Sequence, residues 1–255
     1  MSMLAINELG KTFDSNKGPV IALEDINLEV NRGELAVIVG PSGCGKSTLL
    51  NIVAGLEQKT TGVAALEGND IDTPGADRGM VFQSYTLFPW LTVRKNVEFG
   101  LRLKGVPAAE RAEIARKYIG LVGLEDFENA LPKELSGGMK QRVAIARVLA
   151  NSPVMLLMDE PFGALDAQTR ILLQELLLDV WRKEKTTILF ITHDIDEAIL
   201  LADNVYIMSS RPGRIKAKIP ITIPRPRDHK ATVTPEFSAV KSQIMDLLWE
   251  EIQQS

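Results

Sequence analysis

Residues 35–47 read Leu35-Ala36-Val37-Ile38-Val39-Gly40-Pro41-Ser42-Gly43-Cys44-Gly45-Lys46-Ser47. The first five residues are all apolar, which predicts a strand that is buried on both faces. A glycine-rich loop follows at once, and residues 47–55 have the pattern of a helix that ends at a glycine. A strand, a loop of the form G-x-x-x-x-G-K-S and a helix in this order indicate a phosphate-binding loop.

The chemistry of this loop follows from its residue types. Glycines let backbone N–H groups turn inward around phosphate oxygens, and Lys46 can reach the β- and γ-phosphates of a nucleotide. Ser47 offers a hydroxyl to Mg²⁺, and the helix N-terminus that follows favours negative charge. Cys44 has no histidine nearby in sequence to activate it, so we interpret it as a small loop residue rather than a nucleophile.

Strands and helices alternate along the rest of the chain. Short strands are predicted over residues 20–39 and 60–83, and two helices over Val93–Leu103 and Ala108–Val122 lie in a helical insert at about residues 84–140. The later patterns predict helix Lys140–Ala150, strand Val154–Met158, helix Ala167–Lys183, strand Thr187–Ile191, helix Asp194–Ala202 and strand Val205–Met208. This alternation predicts an α/β protein with a parallel sheet and crossover helices.

Composition narrows the class of protein. The net charge of −4 over 255 residues argues against a nucleic-acid-binding surface. A single cysteine fits a reducing compartment. No apolar run reaches the roughly 18 residues that cross a bilayer, and the first residues do not have the pattern of a signal peptide. We therefore expect a soluble cytoplasmic protein whose membrane partner, if it has one, is another polypeptide.

Polar residues end two of the predicted strands. Asp159 and Glu160 follow an apolar run, where one carboxylate can hold Mg²⁺ and a second can polarise the attacking water. The alternative, a polar start to a loop, is less favoured because Lys46 is also present. His193 has the same layout after Thr187–Ile191, and a neutral imidazole there could hold water and phosphate in line. A histidine taken alone would more often be structural.

Ser136-Gly137-Gly138 precedes a clear helix and forms a second candidate anion site. One serine hydroxyl and two unencumbered backbone amides at a helix N-terminus suit a phosphate group. Taken without the rest of the chain, the element could instead be a helix cap with a flexible approach. A second anion site in a chain that already has a phosphate loop implies a second copy of the chain.

Together these motifs resemble the ATP-binding subunit of an ATP-binding-cassette (ABC) transporter, over residues 4 to about 210. The resemblance implies an α/β fold with a phosphate-loop (RecA-like) parallel sheet core, an antiparallel β subdomain and a helical subdomain. It implies a single ABC ATP-binding domain over residues 1–255, with the core and β subdomain at 1–83 and 141–215. The helical subdomain with the signature motif would span 84–140, and a C-terminal extension would span 216–255.

The resemblance also assigns roles to residues. Phe13, where tyrosine is more usual, is similar to the aromatic that stacks on adenine, and Met139 replaces a commoner glutamine after the signature glycines. Implied ATP-binding residues are Phe13, Gly40, Pro41, Ser42, Gly43, Cys44, Gly45, Lys46, Ser47, Thr48, Ser136, Gly137, Gly138 and Asp166. Implied catalytic residues are Glu160, His193, Gln83 and Lys46, and implied Mg²⁺ ligands are Ser47, Gln83 and Asp159.

The partners that the resemblance implies are a second copy, facing head to tail so that each ATP lies between two chains, and membrane permease subunits. Closer similarity is to nitrate, sulfonate and taurine importers, through residues 76–83, Leu87–Trp90 and Arg211–Arg214. This implies a peripheral protein on the cytoplasmic face of the inner membrane, served indirectly by a solute-binding protein. The alternative function is a soluble ABC ATPase that acts on nucleic acid or ribosomes.

Two further segments have open interpretations. Leu87, Phe88 and Trp90 belong to an aromatic loop that would line the dock for a membrane subunit, or would pack into the core of the helical insert. Residues 211–230 are rich in proline and basic side chains. This tail is interpreted as a solvated extended segment, with contact to acidic lipid headgroups or to a regulatory partner as the alternative.

Overall fold

The structure, a computed structural model, describes residues 2–16 and 18–253. The strands are β1 Ser2–Phe13, β2 Val20–Asn31, β3 Leu35–Val39, β4 Thr61–Leu66, β5 Asn69–Asp70, β6 Arg78–Val81, β7 Met155–Asp159, β8 Thr187–Ile191, β9 Asn204–Met208 and β10 Ile215–Pro220. The α-helices are α1 Lys46–Ala54, α2 Val93–Leu103, α3 Ala108–Leu121, α4 Gly137–Leu149, α5 Ala167–Glu184, α6 Ile195–Leu201 and α7 Pro235–Gln253.

Two compact units divide these elements. The described residues up to Gly75, together with those from Thr186 onward, form the first unit, and Ala76–Lys185 forms the second. The helical insert expected at residues 84–140 thus lies within the second unit, which also contains β6, β7 and α5. The C-terminal extension expected at 216–255 belongs to the first unit, and its last two residues lie outside the described part of the chain.

An antiparallel sheet of order β2-β1-β4-β5 occupies the beginning of the first unit. Every second residue of β2 from Ile26 to Val30 is buried and pairs with β1, as Leu28 opposite Ile6 illustrates. Residues 20–31, where the sequence predicts short strands, form one continuous strand, because β2 stays paired with β1 along its length despite several register shifts.

The parallel sheet of the first unit contains β3, which runs parallel to β8 on one side and to β9 on the other. All five residues of β3 are buried, as the apolar run predicts. Strand β10 pairs with β9 in the antiparallel direction. The predicted α/β class with a parallel core and a separate antiparallel sheet is confirmed.

The second unit combines parallel strands β6 and β7 with helices α2 to α5. Helix α2 spans the predicted residues, whereas α4 begins three residues earlier than the predicted Lys140. The reason is that the Ser136 side chain caps α4 by accepting a hydrogen bond from the Met139 N–H at 3.3 Å. The signature glycines therefore belong to the first turn of the helix rather than to a loop.

The interpretation of residues 211–230 as a solvated tail is wrong for two of its arginines. Arg227 is only 5% exposed, and its guanidinium donates to the carbonyls of Ile199, Ala202, Ile221 and Ile223. Arg225 donates to Asp203 Oδ1 at 2.8 Å and to the Leu201 carbonyl at 2.6 Å. The carbonyls at the C-terminal end of α6 accept hydrogen bonds from these cations, and this holds the segment in place within the first unit.

Candidate functional site

The phosphate loop lies between β3 and α1 in the first unit. Lys46 is 6% exposed, and its Nζ donates to the carbonyls of Gly40 at 2.8 Å and Pro41 at 2.9 Å. Gly45 has a φ of +108°, and a Cβ atom there would lie 2.7 Å from Leu23 Cδ2, so only glycine fits. The loop thus curls around the lysine and leads directly into the N-terminus of α1, the arrangement expected for an anion site.

Cys44 is buried inside this loop, with only 1% of its surface exposed. Burial raises the pKa of the Cys44 thiol, and the nearby Lys46 ammonium only partly offsets that effect. The thiol is therefore protonated at neutral pH, which agrees with its interpretation as a small structural residue.

The turn at Arg211–Gly213 contacts the phosphate loop, and the sequence does not indicate this contact. Arg211 Nη2 donates to the Gly43 carbonyl at 3.1 Å. A Cβ atom on Gly213 would lie 2.1 Å from the Cys44 carbonyl oxygen, so the turn approaches the loop backbone closely. In the sequence, the run Arg211–Arg214 indicates a subfamily resemblance and does not indicate a contact with the loop.

Phe13 ends β1 and is half-buried, so part of its ring reaches solvent. The ammonium of Lys11 lies 4.6 Å from the centroid of this ring. The sequence pattern does not indicate this cation–π contact, because only the folded structure shows that the Lys11 ammonium lies over the Phe13 ring.

His193 is exposed and lies just after β8, as its sequence position predicts. The next residue, Asp194, caps α6 by accepting a hydrogen bond from the Glu197 N–H at 3.1 Å. The Thr192 hydroxyl oxygen in turn accepts a hydrogen bond from the Asp194 N–H at 3.0 Å. The backbone on both sides of His193 is therefore anchored, which fixes where its side chain begins.

The acidic strand end lies in the second unit. Asp159 ends β7 and is half-buried, and Glu160 has a φ of +44°, a left-handed conformation that is uncommon for this residue type. A Cβ atom on Gly163 would lie 3.8 Å from both Gln83 Nε2 and Glu160 Oε2, so these two side chains flank the same glycine. Strained backbone of this kind concentrates at functional positions.

The signature residues are connected to Asp166 within the same unit. A Cβ atom on Gly138 would lie 2.4 Å from Thr169 Cγ2, so a side chain there would collide with α5. The Thr169 N–H donates to Asp166 Oδ1 at 3.0 Å, and this hydrogen bond lowers the pKa of the Asp166 carboxyl. Ser136, Gly138 and Asp166 therefore lie at the adjoining N-terminal ends of α4 and α5.

An apolar cavity of about 390 Å³ opens beside the aromatic loop, also within the second unit. Phe88 lines it and packs against Phe99 of α2, with ring centroids 4.3 Å apart. Trp90 lies outside the lining and is 72% exposed, and Leu87 is also outside it. Phe88 is thus packed, as the core interpretation predicts, whereas most of the Trp90 surface is exposed and its docking role stays a prediction.

Arg147 of α4 connects this cavity to the loop that follows Gln83. Its guanidinium donates to the Thr86 carbonyl at 2.7 Å and to the Thr86 hydroxyl at 2.9 Å, and lies 5.8 Å from the centroid of the Phe88 ring. Burial lowers the pKa of Arg147. The helix that begins at the signature motif therefore holds the aromatic loop directly.

The donor types available for a metal suit Mg²⁺ bound together with a nucleotide. Among residues 2–16 and 18–253, no group of three or more histidine, cysteine, aspartate or glutamate side chains could hold a metal by itself. Mg²⁺ commonly uses only one or two protein carboxylates and takes its remaining ligands from phosphate oxygens and water. The Ser47 hydroxyl and the Asp159 carboxylate are oxygen donors of that kind.

Residues 23–163 match the family described as ABC transporter. The chain belongs to the ABC transporter family. It is 50% identical to the nitrate import ATP-binding protein of Synechocystis, over 96% of this chain and 94% of that protein. It is 45% identical to the taurine import ATP-binding protein of Pelagibacter ubique, over 98% of this chain and 96% of that protein.

A solved ABC structure agrees with this assignment. The dimeric, post-hydrolysis state of an ATP-binding cassette bound to ADP and Pi is 33% identical and has a TM-score of 0.76, covering 86% of this chain and 99% of that one. As a member of this family, the chain is an ATP-binding ATPase. The relatives are named for import, so the nucleic-acid or ribosome alternative gains no support.

The ABC chain has no described helix that combines the length and the apolar character needed to span a membrane.

Proposed function

We propose that this chain is the ATP-hydrolysing subunit that energises a membrane importer for a small anionic or zwitterionic solute of the nitrate, sulfonate or taurine type. The observation that carries this proposal is the match, over almost the whole chain, to ATP-binding proteins named for nitrate and taurine import. The chain would work on the cytoplasmic face of the membrane as a peripheral subunit. Its membrane partners would be permease subunits, served by a solute-binding protein.

In this proposal ATP is held at its base by Phe13 and at its phosphates by Gly40–Thr48. Lys46 already donates to two loop carbonyls, and phosphate oxygens would be stronger acceptors because they carry charge. Mg²⁺ would be held by Ser47, Gln83 and Asp159, and would neutralise charge on the phosphates.

Hydrolysis would depend on Glu160 and His193. Glu160 would polarise the attacking water, and Gln83, which flanks the same glycine, would help to orient it. His193 would hold water and phosphate in line, with its backbone anchored by the Thr192 and Asp194 hydrogen bonds. Positive charge from Lys46 would stabilise the transition state.

The second anion site would receive the ATP held by another copy of the chain. Ser136 is exposed, and α4 presents its N-terminus at the same point, so a phosphate could reach both. Asp166 lies at the neighbouring N-terminus of α5 and would contact the partner copy. ATP would then bring two chains together head to tail.

A permease segment would dock on the cavity beside the aromatic loop. The lining is apolar at Phe88, Phe99 and Leu103, and Trp90 is exposed nearby as an aromatic anchor. Arg147 holds this loop from the signature helix, which gives a direct connection between nucleotide-driven closure and the membrane subunit.

The test reconstitutes the chain with its permease subunits and its solute-binding protein in vesicles, with ATP inside. We expect ATP hydrolysis to rise when nitrate, taurine or an alkanesulfonate is bound by the solute-binding protein outside. Stimulation by nucleic acid in place of permease and solute would favour the soluble alternative and contradict the proposal.

A matched pair of variants tests the dock. Trp90→Ala is expected to reduce assembly with the permease while leaving the ATPase activity of the free chain unchanged. Trp249→Ala is the control, since Trp249 is also exposed, at 60%, but lies on α7 in the first unit. Normal assembly of the Trp90→Ala chain would remove this residue from the dock.

A further inference from the structure

The ammonium of Lys11 is buried and contacts two oxygen acceptors and one aromatic ring. Lys11 is 9% exposed, and its Nζ donates to Glu57 Oε1 at 2.7 Å and to the Gln58 carbonyl at 2.7 Å. The same atom lies 4.6 Å from the centroid of the Phe13 ring. These contacts restrict the positions that the Lys11 side chain can adopt. They restrict the position of the Phe13 ring as well.

The acceptors of Lys11 belong to the segment that ends the phosphate-loop helix. Helix α1 closes at Gly55, and the N–H of Glu57 donates to the Asn51 carbonyl at 3.2 Å, which ties Glu57 to the last turn of α1. The hydrogen bond from Lys11 lowers the pKa of the Glu57 carboxyl, so this carboxylate is ionised at neutral pH. Lys11 therefore connects the strand of Phe13 to the far end of the helix that begins at Lys46.

We propose that Lys11 is a positioning residue for the nucleotide base. It covers one face of Phe13 and holds the ring so that the other face is presented to the purine. This inference rests on the proposed function, in which Phe13 stacks on adenine. A cation over one face also withdraws π-electron density from the ring, which favours stacking of an electron-rich base on the opposite face.

A positioning role for Lys11 predicts a selective effect on nucleotide binding, which a general structural role would not predict. Lys11 acts through the base platform, so its removal should weaken binding of nucleotides that carry a base and should spare ligands that consist of phosphate alone. The Lys11 ammonium donates to Glu57 and Gln58, whereas the ammonium of the phosphate loop, Lys46, donates to the Gly40 and Pro41 carbonyls.

The experiment measures dissociation constants of the full-length chain for ATP and for inorganic tripolyphosphate, without Mg²⁺ so that nothing is hydrolysed. Lys11→Met is expected to weaken ATP binding by roughly three- to tenfold and tripolyphosphate binding by less than about twofold. Phe13→Ala is expected to weaken ATP binding by about ten- to a hundredfold. Adding Lys11→Met to Phe13→Ala is expected to cause almost no further loss, because the platform is already absent.

Two further variants make the result specific. Lys59→Met is the control, since Lys59 pairs with Asp70 at 3.2 Å and Asp72 at 3.0 Å and has a side-chain exposure of 15%, similar to the 11% of Lys11. It should change neither constant. Lys11→Arg keeps a cation over the ring and is expected to restore most of the ATP affinity. If Lys11→Met does not fold, Glu57→Gln loosens the anchor of Lys11 and should give a smaller loss of the same kind.

The outcomes separate this inference from the assignment of Phe13. If Phe13→Ala leaves ATP affinity unchanged, the base platform is wrong and the inference is overturned with it. If Phe13→Ala weakens ATP binding but Lys11→Met does not, Phe13 keeps its role and Lys11 has none. Equal losses of ATP and tripolyphosphate affinity in Lys11→Met would assign the lysine to the stability of the phosphate site instead.

Discussion

Replacing Arg227 by methionine tests whether the C-terminal segment is part of the folded core. Methionine fills much of the same volume but has no donor, so the carbonyls of Ile199, Ala202, Ile221 and Ile223 would lose their partner. Leaving a buried acceptor without a partner costs about 1–2 kcal/mol, or roughly 4–8 kcal/mol for the four.

The loss of a buried charge offsets part of that cost. Burial lowers the pKa of Arg227 to about 10, which corresponds to a penalty on the cation of roughly 3 kcal/mol. We therefore expect Arg227→Met to lower the free energy of unfolding by about 1–5 kcal/mol. Because the pKa in the folded state lies below that in the unfolded state, the penalty is constant below pH 10 and is relieved only as the pH rises above that value.

Urea unfolding at pH 6 to 9 measures this effect, and the difference between wild type and Arg227→Met should be the same across that range. Arg214→Met is the control, since Arg214 is exposed and pairs with Glu24 at 2.7 Å. It should change stability by less than about 1 kcal/mol. An Arg227→Met chain within about 0.5 kcal/mol of wild type would refute the buried position of this arginine.

Two other predictions concern the nucleotide motifs. Gly138→Ala should destabilise the chain by about 1–3 kcal/mol, because its Cβ would lie 2.4 Å from Thr169 Cγ2, and Thr169→Ser should restore at least half of that loss in the double variant, measured by urea unfolding. No rescue would show that the strain lies elsewhere. Cys44 should react with a thiol reagent at least about tenfold more slowly in the folded chain than in urea, because burial raises its pKa, and fast labelling of the folded chain would contradict that position.

Local patterns were sufficient to predict much of the fold. The apolar run of β3, the glycine-rich loop and the 3.6-residue period of α2 are each determined by neighbouring residues, and the predicted elements agree with the structure there. The predicted start of α4 is three residues too late, because Ser136 caps the helix as well as belonging to the candidate anion site. A helix cap and an anion site use the same N-terminus, so they are compatible.

Contacts between distant residues could not be predicted in the same way. Arg211 and Gly43 are 168 positions apart, and nothing in either segment indicates the other. Of the four carbonyls around Arg227, those of Ile199 and Ala202 lie at the end of α6, and those of Ile221 and Ile223 follow β10. Only the folded chain brings them together, whereas the basic, proline-rich pattern predicts a solvated segment. Charge patterns along a chain do not show which backbone acceptors the fold leaves open.

The same limit applies to the candidate site. The motifs predict which residues would meet phosphate and water, and this stays a prediction. They do not indicate the contact of Lys11 with the Phe13 ring or the hydrogen bonds of Arg147 to the aromatic loop. Both cations are identified by their contacts and not by a motif. Each of them contacts a residue or loop with a proposed function, and supporting contacts of this kind leave little trace in a sequence pattern.

We expect that ATP brings two copies of this chain together and that Glu160 then polarises the water that hydrolyses the ATP. The most direct test is light scattering of the Glu160→Gln chain with ATP and Mg²⁺, combined with its rate of phosphate release. We predict a doubling of mass that depends on ATP, with turnover reduced by about a hundredfold or more. Near-normal turnover would remove Glu160 from its role, and a mass unchanged by ATP would contradict the closure of two chains on the nucleotide.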